Sequence, residues 1–188
     1  MNVNSEIIYR KMETSHEISQ VLHLQKKYHK DQLNISDRNK NGYVTVVHTF
    51  ELLDSMKSIL PQIIALHEET VVGYALSMSK EMSDWIPVLQ PMFKIFEEVS
   101  INDVSLKSLN YYVMGQICID EKFRGKGIFR SLYNQHKRYF SDRFDYCITE
   151  VAVRNIKSMM AHESIGFKTV HTYTDETDDW NVLVWDWK

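Results

Sequence analysis

The feature that most constrains the fold is an alternation of strand and helix patterns through the second half of the chain. Short runs rich in β-branched and aromatic residues favour strands, and runs with apolar residues at three- and four-residue steps favour amphipathic helices. In chain order these segments are strand 111–119, helix 127–141, strand 144–153, helix 155–164, strand 167–173 and strand 182–187. This order is typical of an α/β architecture with a mixed sheet.

The first half adds a strand, two helices and a hairpin. The patterns predict a strand at 6–11, a helix at 15–33 with Ser15 as N-cap, a polar and turn-rich segment at 34–42, a helix from Thr49 to the residues before Pro61, and hairpin arms at 62–67 and 71–78. The helix stops before Pro61 because a residue preceding proline disfavours the helical conformation. Together the elements predict a mixed central sheet of about six to seven strands flanked by helices.

An apolar segment at 80–108 interrupts this pattern. We expect a helix-rich insertion there, kinked by Pro87 and Pro91. It is interpreted as a packed cap over the sheet, with a subunit contact or a substrate wall as the alternatives. The chain has 188 residues and contains no linker with a shift in composition, so we expect a single domain spanning 1–188.

Composition excludes several classes of function. The net charge is −3, so the strongly basic balance of a nucleic-acid-binding protein is absent. No apolar run approaches the roughly 18 residues of a membrane-spanning helix, and no secretory signal pattern precedes Glu6 and Arg10. Two cysteines, Cys118 and Cys147, do not make a disulfide framework and are interpreted as reduced core residues. A cytoplasmic protein without nucleic-acid or membrane partners is expected.

The most informative stretch is a glycine turn between a strand and a helix, formed by Arg124, Gly125, Lys126 and Gly127. The first amides of a helix lack intrahelical partners and lie at the positive end of its dipole, so such a turn can hold a phosphate. The dinucleotide pattern GxGxxG fails because Arg130 occupies the third glycine position. The pattern GxxxxGK[ST] fails too, because Gly127 follows Lys126 where the pattern needs serine or threonine. On its own the stretch is equally consistent with a simple tight turn.

A second polar motif follows the next strand. Asn155 is a candidate N-cap, and Ser158 and His162 stand three and then four residues further, so the three side chains share one stripe of the helix. Gly166 is placed to end the helix. The spacing HExxH, which would begin at His162, fails because Gly166 stands where the second histidine is needed, and no metal site is predicted.

With both motifs in this order, the sequence resembles the GNAT superfamily of acetyl-CoA-dependent N-acetyltransferases, closely over 111–173 and elsewhere in element order. The family pattern R/QxxGxG/A, which binds the diphosphate of coenzyme A, corresponds here to Arg124, Gly125, Lys126, Gly127, Ile128 and Phe129. Phe129 replaces the usual final small residue. The pattern NxxAxxxYxxxGF corresponds to Asn155, Ser158, His162, Gly166 and Phe167, with His162 in place of the tyrosine. The resemblance implies a three-layer fold.

The resemblance also implies roles for individual residues. Acetyl-CoA is the expected acyl donor, and the expected cofactor-binding residues are Ile117, Cys118, Ile119, Arg124, Gly125, Lys126, Gly127, Ile128, Phe129, Asn155 and Ser158. The position of His162 implies a proton donor to the leaving thiolate, as an imidazolium or through a neutral N–H, with a histidine that only hydrogen-bonds across the helix as the alternative. Glu150 occupies the base position of the family's ribosomal-protein acetyltransferases, with a solvent-exposed strand carboxylate as the alternative.

The predicted function is acetyl transfer from acetyl-CoA to a primary amine of a small molecule or polypeptide. One alternative is a non-catalytic acyl-CoA-binding sensor or docking module, favoured by the absence of a carboxylate on the strand at 114–119. Thioester hydrolysis and transfer of longer acyl groups also remain open. The expected partner is an amine substrate, and a homodimer is one option for the assembly.

Overall fold

The structure, a computed structural model, describes residues 6–85 and 90–188. Its strands are β1 (Ile7–Lys11), β2 (Ile63–His67), β3 (Thr70–Met78), β4 (Ser100–Ile101), β5 (Val104–Ser105), β6 (Tyr111–Ile119), β7 (Tyr146–Ala152), β8 (Lys168–Thr174) and β9 (Asp179–Asp186). Its α-helices are α1 (Ser15–Lys27), α2 (Ile35–Asn41), α3 (Phe50–Ile59), α4 (Gln90–Glu98), α5 (Ile128–Phe140) and α6 (Ile156–Glu163).

Seven of the described strands form one mixed sheet in the order β1-β2-β3-β6-β7-β9-β8, and β4 and β5 form a separate hairpin. The predicted α/β class, with six to seven strands in a mixed central sheet and flanking helices, is confirmed. Strand β6 has the predicted bounds, and α5 and α6 agree with their predicted bounds to within one residue. Among the described residues, no helix is long and apolar enough to cross a membrane.

The chain divides into two compact units. The first contains the described residues up to 34, together with 43–76 and 116–139, and the second contains 35–42, the described residues within 77–115, and 140–188. In the first unit, β1, β2 and β3 pair as antiparallel neighbours in chain order. The apolar stripes of α1 and α3 contribute fully buried side chains to the core, among them Ile18, Val21, Leu53 and Met56. Burial of this kind contributes about 1.5–3 kcal/mol per large aliphatic side chain.

Helix α1 begins at Ser15, as predicted, but its N-cap is Thr14 rather than Ser15. The Thr14 hydroxyl accepts a hydrogen bond from the Glu17 amide at 3.2 Å, and the Glu17 carboxylate accepts one from the Thr14 amide at 3.0 Å. This reciprocal pair is a capping box, which has a glutamate or glutamine three residues after the cap. Glu17 also pairs with Arg10.

Helix α1 ends earlier than predicted, at Lys27 rather than near Leu33. The Tyr28 carbonyl accepts a hydrogen bond from the Val44 amide at 3.0 Å, and the Lys30 amide donates to the Val44 carbonyl at 2.9 Å. These main-chain bonds hold the chain extended at this point, so the helix stops. The apolar spacing beyond Lys27 carries no information about this long-range pairing.

In the second unit, β7 pairs in parallel with β6 through three residue pairs, and antiparallel with β9, which pairs with β8. An aromatic cluster fills the core of this unit: the Tyr112 ring lies 4.6 Å from that of Phe140 and 5.5 Å from that of Trp187. Cys147 is buried and free, as predicted, and so is Cys118 in the first unit.

Residues 35–41 form helix α2, where the sequence analysis predicted a turn-rich segment. Ile35 is 74% exposed and is the single apolar residue in the helix, so the sequence has no apolar stripe that would predict a helix here. Gly42 follows with a φ of +69° and donates its amide hydrogen to the Arg38 carbonyl at 2.9 Å. The helix contacts α6, which supplies the tertiary support that its sequence pattern lacks.

The insertion at 80–108 is helical in part. It contains short 3₁₀ helices at Lys80–Trp85 and Leu106–Ser108 on either side of α4 and the β4–β5 hairpin. Pro91 is the second residue of α4, where proline is tolerated because first-turn amides need no intrahelical acceptor, so it does not kink the helix. The kink predicted at Pro87 lies outside the described residues. The hairpin turns on Asn102 and Asp103, which both have positive φ.

Candidate active site

The glycine turn connects β6 to α5 in the first unit. Gly125 and Gly127 have φ angles of +72° and +78°, a region that glycine adopts without the steric penalty of a Cβ atom. The Ser131 amide makes the first main-chain bond of α5, to the Gly127 carbonyl at 3.1 Å. No described atom lies within 4 Å of where a Cβ would stand at either glycine. The turn is therefore open to a ligand beside the positive end of the helix dipole.

Arg124 is held against the end of β6. Its Nε donates to the Ile119 carbonyl at 3.0 Å, and its guanidinium lies 4.8 Å from the centre of the Tyr28 ring. The Tyr28 hydroxyl accepts a hydrogen bond from the Glu121 amide at 2.8 Å. Within the described part of the chain, the Arg124 Nη1 is buried without a hydrogen-bond partner. Since an unpaired buried guanidinium donor is costly, this geometry suits an anionic ligand.

The remaining turn residues are placed by aromatic contacts. Lys126 is exposed, and its ammonium lies 4.8 Å from the centre of the Phe123 ring. Ile128 is buried at the first position of α5, and the Phe129 ring packs 5.2 Å from that of Tyr133. The bulk that Phe129 adds to the motif is thus accommodated along the helix.

The end of β6 contains the predicted strand residues. Ile117 and Ile119 are half-buried, and Cys118 is buried between them. Burial raises the pKa of the Cys118 thiol to about 12, so the thiol is protonated at neutral pH and is not a nucleophile. This strand presents main-chain groups and apolar side chains rather than reactive side chains.

Two hydrogen bonds fix the side chain of Gln116, which precedes these residues on β6. Its amide nitrogen donates to the Val46 carbonyl at 2.8 Å, and its amide oxygen accepts from the Tyr74 hydroxyl at 2.6 Å. The side chain thereby ties β6 to the extended segment before α3. A glutamine on a strand has no sequence signature that distinguishes such a tie from surface exposure.

In the second unit, Asn155 is the N-cap of α6, as the sequence predicted. Its side-chain oxygen accepts from the Ser158 amide at 3.4 Å. The same oxygen would lie 3.3 Å from a Cβ added at Gly42, so the end of α2 packs closely against this cap. Asn155 is therefore a capping and packing residue in this structure, and its predicted contact with the acyl donor stays a prediction.

His162 lies two helical turns after Asn155 on the same stripe and is buried. Its Nδ1 donates to the Ser158 carbonyl at 2.7 Å, and its ring packs edge-on against Phe167 at 5.2 Å. Burial lowers the pKa of His162 to about 4, so the imidazole is neutral at neutral pH. This environment argues against the imidazolium form that the sequence analysis considered as proton donor.

Glu150 is half-buried on β7 and is not the solvent-exposed carboxylate considered as the alternative. Burial raises its pKa to about 7, and the nearby Asp175 carboxylate acts in the same direction. The Tyr173 hydroxyl opposes both effects, because it donates a hydrogen bond to Glu150 Oε2 at 2.5 Å. A carboxylate with a pKa near neutrality can accept and release a proton under physiological conditions.

The carboxylates of Asp175 and Asp178, in the acidic turn after β8, have hydrogen-bond or ion-pair partners within the second unit. Asp175 accepts hydrogen bonds from the Thr177 amide and hydroxyl and from the Asp178 amide, which lowers its pKa despite burial. Asp178 pairs with Arg154 at 2.6 Å. Asp175 consequently stays ionised beside Glu150.

Known proteins resemble this chain in structure rather than in sequence. No protein-family profile and no curated protein matches the sequence. The Escherichia coli ribosomal-protein-S18-alanine N-acetyltransferase matches with a TM-score of 0.62 at 13% identity, over 96% of this chain and 94% of that one. Arabidopsis thaliana NAA60, solved with acetyl-CoA, matches at 0.60 and 13%, over 96% and 99%. A Streptococcus pneumoniae acetyltransferase of the GNAT family matches at 0.63 and 12%, over 96% and 99%.

The chain has the GNAT fold. Within this GNAT fold, the residues predicted from the sequence fall into two groups. The first unit contains the group on β6 and the glycine turn: Ile117, Cys118, Ile119, Arg124, Gly125, Lys126, Gly127, Ile128 and Phe129. The second unit contains Glu150 on β7 and the helix stripe: Asn155, Ser158 and His162. Tyr173 was missed, because its contact with Glu150 depends on the register of β8 and β9 in the GNAT sheet.

Proposed function

We propose that this chain is an acetyl-CoA-dependent N-acetyltransferase that acetylates a primary amine of a small molecule or a polypeptide. The observation that carries the proposal is the glycine turn, with its two positive-φ glycines and the buried, unpartnered Nη1 of Arg124 among the described residues. Two solved neighbours support it: one is named as a ribosomal-protein-S18-alanine N-acetyltransferase, and the other, NAA60, is bound to acetyl-CoA.

The first unit would hold the acyl donor. The open amides of the turn and the Nη1 of Arg124 fit the diphosphate of coenzyme A, since both donate hydrogen bonds at a point of positive potential. Lys126 on the turn and Arg130 in the first turn of α5 are exposed and add positive charge. When bound, acetyl-CoA supplies an activated thioester, and the chain must then supply proton transfer to and from the acceptor.

The second unit would supply the base. A primary amine is mostly an ammonium ion at neutral pH, and its nitrogen cannot attack a carbonyl carbon until it loses a proton. Glu150, with a pKa of about 7, is suited to take that proton. Once protonated, Glu150 is acidic enough to return a proton to a thiolate, whose conjugate thiol has a pKa of about 8.5. The ionised Asp175 also attracts an ammonium group electrostatically.

His162 enters the proposal in its neutral form. Its Nδ1 hydrogen is used by the Ser158 carbonyl, so the side chain fixes the polar stripe of α6. We assign it a positioning role rather than the role of an imidazolium donor. Glu150 would pass the first proton of the ammonium group to the departing thiolate, and the second proton that the attacking nitrogen loses would go to solvent.

Calorimetry with acetyl-CoA and a thiol-release assay test the proposal. Arg124→Ala should weaken acetyl-CoA binding by about 10- to 100-fold, since a charge-assisted hydrogen bond contributes roughly 1.5–3 kcal/mol. Arg138→Ala is the matched control, because it removes the same charge from an exposed position on α5. Thiol release with small amines or peptides would then show turnover. Equal affinity of the two variants would contradict the donor site, and binding without turnover would favour the non-catalytic acyl-CoA-binding alternative.

A further inference from the structure

Glu150 and Tyr173 are joined across an intervening strand of the sheet. In the register of the second unit, Glu150 lies opposite Val182 of β9, which lies opposite His171 of β8. Tyr173 belongs to the neighbouring row, opposite Trp180. The tyrosine side chain therefore crosses β9 diagonally to place its hydroxyl 2.5 Å from Glu150 Oε2.

The surroundings of Tyr173 favour this one orientation. The residues on either side of it in β8, Thr172 and Thr174, are exposed, whereas Tyr173 is half-buried. The His171 ring stacks on the Tyr173 ring with 6.4 Å between centroids and 21° between planes. The hydroxyl acts as a donor in this contact, because burial and the Glu150 charge raise the pKa of the Tyr173 phenol. A hydrogen bond from a hydroxyl group to an ionised carboxylate is among the stronger hydrogen bonds in proteins.

We infer that Tyr173 is a positioning residue for Glu150, holding one carboxylate oxygen by a hydrogen bond across β9 and stabilising the ionised form of the base. The inference rests on the proposed function, because only that function makes Glu150 a catalytic base. It assigns a role in the reaction to strand β8, which the sequence motifs do not include.

The charged and titratable groups around Glu150 determine the direction of the effect. On β9 the residue in register is Val182, which carries no charge. On β8 the groups are His171 and Tyr173, and the turn after β8 contributes Asp175. Tyr173 lowers the pKa of Glu150, whereas burial and Asp175 raise it. Loss of the Tyr173 hydroxyl must therefore raise the pKa further.

The test compares Tyr173→Phe with Tyr146→Phe, a matched control that removes a tyrosine hydroxyl from β7 itself. The first readout is a ¹³C NMR titration of the Glu150 carboxyl in the protein without acetyl-CoA or amine. We expect its midpoint to rise by about one pH unit or more in Tyr173→Phe, since one charge-assisted hydrogen bond is lost. Tyr146→Phe should titrate like the wild-type chain. Far-UV circular dichroism checks that both variants are folded.

The second readout is the pH profile of kcat/KM in the thiol-release assay. Its rise with pH should move upward in Tyr173→Phe by the same amount as the NMR midpoint, and adding Tyr173→Phe to Glu150→Gln should change the profile no further. An unchanged Glu150 titration in Tyr173→Phe would overturn the inference, whatever the activity. If the Glu150 titration shifts in Tyr173→Phe but the wild-type chain shows no turnover, the hydrogen bond exists and the proposed function is refuted, together with the catalytic role of the contact.

Discussion

Thr149 donates its hydroxyl hydrogen to the Met114 carbonyl at 2.9 Å, one residue beyond the last parallel pair between β6 and β7. The main-chain pairing ends at Val113 and Ile148. At the next position the Thr149 side chain, rather than a main-chain amide of β7, donates to the Met114 carbonyl. Thr149 is buried, so removal of its hydroxyl would leave the carbonyl without a ready replacement.

Thr149→Val is therefore expected to destabilise the protein. The substitution keeps the shape of the side chain but leaves a buried carbonyl unpaired, at a cost of about 1–3 kcal/mol. Urea unfolding measures the free energy of unfolding. Thr149→Ser, which keeps the hydroxyl, should lie closer to the wild-type value. A valine variant as stable as the wild-type chain would show that the hydrogen bond contributes nothing.

At the glycine turn, Gly127→Glu should abolish measurable acetyl-CoA binding, whereas Gly127→Gln should only weaken it. Both variants force a side chain into the positive φ of +78°, which costs about 1–2 kcal/mol of stability. They differ in charge, so their difference in calorimetric affinity isolates the electrostatic part. Similar affinities for the two variants would argue that no anion binds beside this glycine.

The raised pKa of Glu150 has a consequence for stability. Between pH 4.5, the ordinary value of a glutamate, and about pH 7, the unfolded chain ionises this carboxyl while the folded chain keeps it protonated. The folded state is therefore penalised as the pH rises through this window, by about 3 kcal/mol in full. Glu150→Gln removes the penalty.

The free energy of unfolding of Glu150→Gln, relative to that of the wild-type chain, should therefore be higher at pH 8 than at pH 4. Chemical unfolding of both proteins at the two pH values measures this change. The comparison cancels other titrating groups that the two proteins share. A constant difference across the range would place the pKa of Glu150 near its ordinary value and weaken its assignment as the base.

Three buried histidines should make the protein sensitive to acid. Burial lowers the pKa of His48 to about 4, of His136 to about 3 and of His162 to about 4. The geometry agrees at His48, whose Nδ1 faces the side-chain nitrogen of Gln25 at 2.9 Å while the Gln25 oxygen accepts from the His48 amide. A neutral ring nitrogen accepts there, and a protonated one could not.

Below pH 6.5 the unfolded chain binds protons that the folded chain cannot bind at these three positions, so stability falls as the pH falls toward 4. Each histidine should cost about 2 kcal/mol between pH 7 and pH 5. His162→Phe should reduce the pH dependence of the unfolding free energy by one such increment, while substitution of the exposed His23 by glutamine serves as the control. Equal pH dependence in both variants would contradict the buried neutral state.

The sequence by itself determined the order of the seven strands of the main sheet, most of the helices, and the local form of both motifs. The bounds of β6, the positive-φ turn at Gly125 and Gly127, and the cap at Asn155 all follow from residues within a few positions of one another. Turn and capping geometries depend on local backbone sterics and short-range hydrogen bonds, which the sequence displays directly.

Other features were decided by tertiary structure. Helix α1 ends where Val44 pairs with Tyr28, and α2 forms without an apolar stripe because it packs on α6. No local pattern contains such long-range pairings, so the sequence predicted one helix too long and the other not at all.

At the candidate site, too, the sequence predicted some features and the tertiary structure decided others. Position in a motif singled out Glu150 and His162, but burial decides that one has a raised pKa and the other a lowered one. Strand register decides that Tyr173, more than twenty positions further along the chain, donates to Glu150. Desolvation and contacts across strands exist only after the chain folds, because both depend on which residues the packed sheet brings together.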